Sequence, residues 1–464
     1  MPRARFVRLC CVLLAAWLGV VACDAKPTPP NVVLITVDTL RADYLGSYGF
    51  PLDTSPRIDA LAAGGVLFER AVAAASTTSP SHASILTSRH TREHSVGFYS
   101  GFTVLDGLPT LPELFKDAGY TTAAFVGNIN LQKRLGFDRG FDHYDDDLPD
   151  AERNRPLQYE RIAERTHERL QAWLDEPRDG PFFLWVHYQD PHGPYDAPEG
   201  NAGRFSVPKA PGETALPVLA NNYGEGGIPK YQALHGLSHP HEYKSRYADE
   251  VFYADEYVGR LIDAVDHHAS GRDAVILLTA DHGEYMGEDN VWFVHTAVST
   301  PQLAHVPLIL RAPGLSAERR SDPVGHVDVL PTLLELAGLT PPADARGLAL
   351  GPFLRDGEPL PPRLVYTDAG DELSAYRTGS FVRVLDLKEA WMKPQPPLEP
   401  SWGAYWWKQD GTWEMIADDE LEDRRILSDH REIQEYFRAA TPMIQSLPAD
   451  AAQLERLRAL GYVE

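Results

Sequence analysis

Three long apolar runs in this chain each stop at an aspartate. They are Val32–Val37 before Asp38, Phe182–Gln189 before Asp190, and Val275–Ala280 before Asp281. Short continuous apolar runs without alternation mark strands buried on both faces, as in parallel sheets. Ligands of open α/β sheets bind beyond the carboxyl ends of such strands. A lone aspartate at a strand end is usually a turn or cap residue. Three of them, one followed by His282 and another two residues before His192, form a metal-ligand pattern instead.

Between these runs the apolar period becomes helical. Helices are predicted over Pro56–Gly64, over Thr110–Ala118 with a stop at Gly119, and over Pro156–Asp175 with Ile162, Leu170, Trp173 and Leu174 on one side. Others are predicted over Tyr247–His267, with Val251, Val258, Leu261, Ile262 and Val265 inward, and over Asp328–Leu336 before Gly338. Further strands are predicted at Val66–Ala74, Thr121–Val126 and Val306–Arg311. This alternation predicts an α/β fold, a mixed, mostly parallel sheet sandwiched by helices. Gly200–Gly236 breaks the rhythm and reads as an insertion at the rim of the site. After residue 345 the pattern changes to short alternating strands, Leu364–Thr367, Phe381–Leu387 and Thr412–Ile416, with a helical tail from Ile433. The expected division is therefore a catalytic domain over 31–345 and a smaller C-terminal α+β subdomain over 346–464.

The first residues stand apart. Arg3, Arg5 and Arg8 precede an apolar stretch, Leu9–Val21, that ends at Ala22-Cys23. That stretch is short for a membrane span and has the form of a signal-peptide core. Residues 1–23 are read as a signal peptide with a lipobox, Cys23 as the lipidated residue and 24–30 as a linker. Cys10, Cys11 and Cys23 are the three cysteines of the chain, so the expected mature domain has no thiol and no disulfide. The expected location is the bacterial envelope, periplasmic or extracellular, with attachment to the membrane through the N-terminal lipid.

Charge narrows the chemistry. The 464 residues carry a formal net charge of −23, which excludes nucleic acid as a partner. An anionic substrate would need local positive charge, and metal ions held by the aspartates and histidines would supply it. Asp with His suits zinc or manganese.

Thr78-Ser79-Pro80-Ser81-His82 opens a predicted helix, with Thr78 or Ser79 as cap and Pro80 in the first turn, where a missing N–H costs nothing. Together with Asn31–Asp38, Leu278–Glu284, His305–Gly314, Asp328–Leu334, Tyr376–Gly379 and Leu457–Val463, this segment makes the chain resemble the sulfatase branch of the alkaline phosphatase superfamily. The resemblance spans nearly all of the chain after residue 30 and implies an alkaline-phosphatase-like fold and a hydrolase of sulfate or phosphate esters.

The sequence also departs from that family. Thr78 and His82 stand where the signature has a cysteine or serine, oxidised to formylglycine, and an arginine. Thr39 follows Asp38 where many members have a second aspartate. Asn128 and Asn130 replace a lysine and a histidine, and His295 falls where a lysine is usual. In the superfamily's phosphodiesterases a threonine is the nucleophile. Carried over, Asp38, Thr78, Asp281 and His282 would hold one divalent ion, and Asp190, His192 and His295 a second. Zinc or manganese is expected, calcium the alternative. Thr78 would attack, and His82 either contacts a substrate oxygen or is a satisfied polar residue of the helix. His187 reads as a core histidine, Glu284 as a partner to a ligand or a cap.

The expected substrate is a small-molecule, glycan or lipid ester, with phosphodiester or phosphonate chemistry favoured by the threonine. Two other readings stay open: a phosphoglycerol- or phosphoethanolamine-type transferase, and a catalytically silent lipoprotein that keeps the fold to bind a ligand.

Overall fold

The computed structural model describes residues 29–94, 96, 108–268, 273–295, 300–369, 373–377, 380–384, 402–407, 413–415 and 432. The expected signal segment with Cys23 and the expected helical tail from Ile433 lie outside them.

In chain order the main elements are β1 (Asn31–Val37), α1 (Pro56–Ala63), β2 (Val66–Val72), α2 (Thr78–Thr87), α3 (Leu111–Asp117), β3 (Thr121–Val126), β4 (His143–Asp145), β5 (Asp150–Glu152), β6 (Arg155–Glu160), α4 (Ala163–Leu174), β7 (Phe182–Tyr188), α5 (Pro240–Asp266), β8 (Ala274–Ala280), β9 (His305–Arg311), β10 (Glu318–Arg320), β11 (Val324–Gly325) and α6 (Val329–Leu336). The large sheet runs β10-β2-β9-β8-β1-β7-β3-β4, with β11 also on β2. β9 is antiparallel to both its neighbours, and the other pairs are parallel. This is the mixed, mostly parallel sheet that the pattern predicts. Helices α1, α4 and α5 pack together on one side and α2, α3 and α6 on the other. Every residue of β1 and β7 is buried, which is why those stretches show no polar alternation.

A second sheet, β12 (Val365–Asp368), β13 (Leu373–Arg377), β14 (Ser380–Val384), β15 (Trp402–Trp407) and β16 (Trp413–Met415), is antiparallel throughout. It joins the first region just ahead of α2, where the Asp368 amide donates to the Ala74 carbonyl at 2.9 Å.

Two predicted helices start elsewhere. Residues 155–160 form β6, paired with β5 as a hairpin, and α4 begins only at Ala163. The stretch Pro156–Glu160 lacks inward apolar positions at helical spacing, and Asp190 fixes the true start by accepting the Ala163 amide at 2.7 Å. Conversely, α5 begins seven residues early, at Pro240, where Glu242 takes the His239 amide at 2.8 Å. The insertion over Gly200–Gly236 holds little regular structure beyond one short turn, Lys230–Gln232. Tyr231 Oη and Gln232 Nε2 both donate to the Phe293 carbonyl, at 3.1 and 3.0 Å, two residues before His295.

Candidate active site

Strand register builds the centre of the site. Val37 is level with Tyr188 of β7 and with Ala280 of β8, so Asp38 and Asp281 leave neighbouring strands side by side. The chain then turns sharply. Thr39 takes a left-handed φ of 55°, which costs a non-glycine residue about 1 kcal/mol. Asp281 Oδ1 holds the turn by accepting the Thr39 amide at 3.1 Å. Tyr247 of α5 donates its hydroxyl to the Thr39 carbonyl at 2.7 Å.

Helix α2 points its amino end at this pair. Thr77 is its cap residue and Thr78 its first helical residue. Thr78 Oγ1 lies 3.5 Å from His282 Nε2. Ser79 is turned away, with its hydroxyl donating to the Asn130 carbonyl at 2.8 Å. Of these two neighbours, threonine and not serine presents its hydroxyl to His282. His282 Nδ1 donates to the Gly283 carbonyl at 3.0 Å, leaving the Nε2 lone pair toward the site. That nitrogen is 3.4 Å from Asp281 Oδ2 and 3.9 Å from Asp38 Oδ1.

The donor set fits a divalent cation. Asp38, Asp281 and His282 each offer a ligand atom within 4.8 Å of the others, and all three are buried. Asp38 Oδ1 and Asp281 Oδ2 have no hydrogen-bond partner, although buried carboxylate oxygens are nearly always paired. Burial pushes the Asp38 carboxyl up to about 6, against the opposing pull of His282 and the Asn128 amide. An ion would remove that penalty, and two carboxylates with an imidazole suit zinc or manganese.

His187, expected in the core, stands in this cluster. Its Nε2 is 3.4 Å from Asp38 Oδ2, and neither ring nitrogen has a hydrogen-bond partner. The signal was in the sequence: Thr36 pairs with His187, and strand alternation puts Thr36, Asp38 and His187 on one face. Asn128 donates to Asp38 Oδ2 at 2.7 Å, from the position where the family has a lysine. His82 matches the second of its two readings. Its Nδ1 donates to the Thr78 carbonyl at 2.8 Å and its Nε2 accepts from Thr36 Oγ1 at 3.0 Å. Burial lowers its pKa to about 3, so the ring is a neutral strut under Thr78.

The second expected ligand set is only half assembled. The His295 ring lies 4.4 Å from that of His282 and 5.3 Å from that of His192. Glu284, fully buried, stands 3.6 Å from His295 Nδ1. Asp190 does not join them: it caps α4 and shares a hydrogen bond with Glu250. Replacing Asp190 by alanine is expected to cost about 1–3 kcal/mol, since it leaves a buried amide unpaired. Chemical unfolding measures this, and metal content at Asp38 and Asp281 should be unchanged.

What gathers around His192 instead is the β5–β6 hairpin. Glu152, Glu160 and His192 bring ligand atoms within 4.8 Å of one another. Burial, with the neighbouring Glu152 and Asp190 charges, pushes Glu160 up to about 8. Arg155 pairs with both oxygens of Glu152 at 2.6 Å and stacks over the Tyr231 ring at 4.1 Å. Its charge reaches Asp38, Glu284, His192 and His295. The helix expected over Pro156–Asp175 concealed this hairpin, so Arg155, Glu152 and Glu160 were not foreseen.

A parallel-dominated sheet with carboxylates, histidines and a helix-start hydroxyl at its carboxyl edge has the chemistry of an ester hydrolase. The sulfatase family model matches residues 30–339, and the chain belongs to that family. It is 26% identical to a Δ4,5-hexuronate-2-O-sulfatase of Bacteroides thetaiotaomicron, over 73% of this chain and 75% of that one. It is 27% identical to the N-acetylgalactosamine-6-sulfatase of Canis lupus familiaris, over 81% and 74%. Among solved structures it is similar to a phosphonate monoester hydrolase from Silicibacter pomeroyi, with TM-score 0.66 and 19% identity over 88% of this chain and 95% of that one. The chain is accordingly a hydrolase acting on ester bonds.

Proposed function

We propose that this protein hydrolyses phosphate or phosphonate esters, with the Thr78 hydroxyl as nucleophile in place of formylglycine. The observation that carries this reading is Thr78 Oγ1 at 3.5 Å from His282 Nε2, beside two unpaired aspartate oxygens. Asp38, Asp281, His282 and Thr78 would hold a divalent cation, which would supply Lewis acidity to the hydroxyl and to the substrate's anionic oxygens. Thr78 Oγ gives its proton to solvent and forms a bond to phosphorus, and the bond from phosphorus to the leaving oxygen breaks. The leaving oxygen takes up a proton from solvent; water then adds to phosphorus, the Thr78 Oγ–phosphorus bond breaks, and Oγ regains a proton while the acid product leaves. The start of α2 directs backbone N–H groups and its dipole toward the anion.

Arg155 supplies further positive charge at the site. Its pairing with Glu152 and its stacking on Tyr231 fix a guanidinium close to His192. Charge-assisted contacts of this kind contribute roughly 1.5–3 kcal/mol. Arg155→Met should therefore raise KM, and the inhibition constant of inorganic phosphate, by about 10-fold or more. The fall in kcat should be smaller, and steady-state kinetics separates the two.

The named glycan sulfatases and the phosphonate hydrolase set the range of substrates. The test is turnover of aryl phosphodiester, phosphonate, phosphomonoester and sulfate esters with added zinc, manganese or calcium. Metal-dependent turnover of a phosphorus ester supports the proposal, whereas hydrolysis of the sulfate ester alone overturns it. An absence of any turnover or bound metal favours a ligand-binding protein. Lipidation at Cys23 and an envelope location belong to the same proposal, and a Cys23→Ser variant released from membranes into the soluble fraction would support them.

A further inference from the structure

A further set of metal-ligand side chains, none belonging to the site above, lies where the insertion meets α5. Glu213 lies within the insertion, and His239 and His241 stand at the amino end of α5. We infer that these three residues form a zinc-class divalent cation site that pins the insertion to α5.

Each of the three offers a ligand atom within 4.8 Å of the other two. Glu213 Oε1 is 2.6 Å from His241 Nδ1 and 3.6 Å from His239 Nδ1. His239 Nδ1 is buried with no hydrogen-bond partner, although it faces a carboxylate. Around a tetrahedral zinc with bonds near 2.0–2.1 Å, ligand atoms sit about 3.3 Å apart. Small side-chain rotations would close the set, and water would complete the coordination. Two imidazoles and one carboxylate suit zinc, cobalt or nickel better than calcium.

The positive end of the α5 dipole opposes a cation here. Two carboxylates counter it. Glu213 is held below its usual range by His241, and Glu242 by the amides of His239 and Ser238, despite partial burial of both.

The insertion otherwise meets this end of α5 through a few polar bonds, such as Leu216 N–H to the Ser238 carbonyl at 2.8 Å and Val207 N–H to Ser245 Oγ at 2.9 Å. A bound ion would cross-link it. The same insertion, through Tyr231 and Gln232, holds the backbone beside His295.

The test uses the full chain, stripped with a chelator and titrated with zinc by calorimetry. Wild type should bind one more equivalent than His239→Ala/His241→Ala, and that difference should persist in an Asp38→Asn/Asp281→Asn background. The outcome is thus independent of the catalytic reading. Zinc should also slow proteolytic cleavage of the insertion in wild type and not in the variant. Should the alanine variant fail to fold, His241→Gln keeps a polar contact to Glu213 while removing the ligand nitrogen. Equal zinc stoichiometry, with affinities within about 3-fold of each other, would overturn the inference.

Discussion

Replacing Thr78 by alanine is expected to abolish turnover while leaving the fold intact. The substitution removes the hydroxyl 3.5 Å from His282 Nε2, and the neighbouring Ser79, committed to the Asn130 carbonyl, does not replace it. Loss of a nucleophile typically lowers kcat by a factor on the order of 10⁴ or more. Stability should change little. Thr78 Oγ1 caps no helix, and the strut beneath it binds the Thr78 carbonyl, which alanine keeps. A deletion of this size with no new buried unpaired group costs about 1 kcal/mol or less. Thr78→Ser retains an attacking oxygen and should keep substantial activity. A Thr78→Ala enzyme as active as wild type would move the nucleophile elsewhere.

The second large effect concerns the aspartates. Asp38→Asn and Asp281→Asn should each abolish activity and metal binding at this site, yet leave the metal-free protein no less stable than wild type. In the metal-free protein these carboxylates are buried beside one another, each with an oxygen that nothing pairs. Neutralising Asp38 relieves the desolvation that burial imposes on its charge, and Asn at 281 keeps an oxygen for the Thr39 amide. Wild type, by contrast, should gain about 4 kcal/mol from metal at a thousand-fold excess over Kd. Thermal unfolding with and without metal, run in the His239→Ala/His241→Ala background so that only this site contributes, separates the two proteins. A stabilisation by metal that survives both substitutions would exclude this site as its source.

The sheet was legible in the sequence because β1, β7 and β8 are buried on both faces and so appear as unbroken apolar runs. Their ends marked Asp38 and Asp281 for the same reason. Asp190 misled because an aspartate that caps a helix and one that binds a metal occupy the same kind of position after a strand. The difference lies in what faces it, here the Ala163 amide and Glu250. His187 was read as core because burial alone does not reveal that its ring meets Asp38; the register with Thr36 does. Arg155 was hidden by an error of period: Leu170, Trp173 and Leu174 truly belong to a helix, but the pattern was extended back through a hairpin. The insertion gave no periodic signal, so its hold on Phe293 became visible only in three dimensions.

The central claim is that the covalent partner of the substrate is a threonine oxygen. It is tested most directly by acid-quenching the enzyme during turnover of a good aryl phosphorus ester and mapping the peptide containing residues 78–89 by mass spectrometry. The prediction is a single phosphoryl or phosphonyl adduct on Thr78, absent from Thr78→Ala and from enzyme without substrate. Continued turnover with Thr78 unmodified, or with the adduct on Ser79 or another residue, would contradict it.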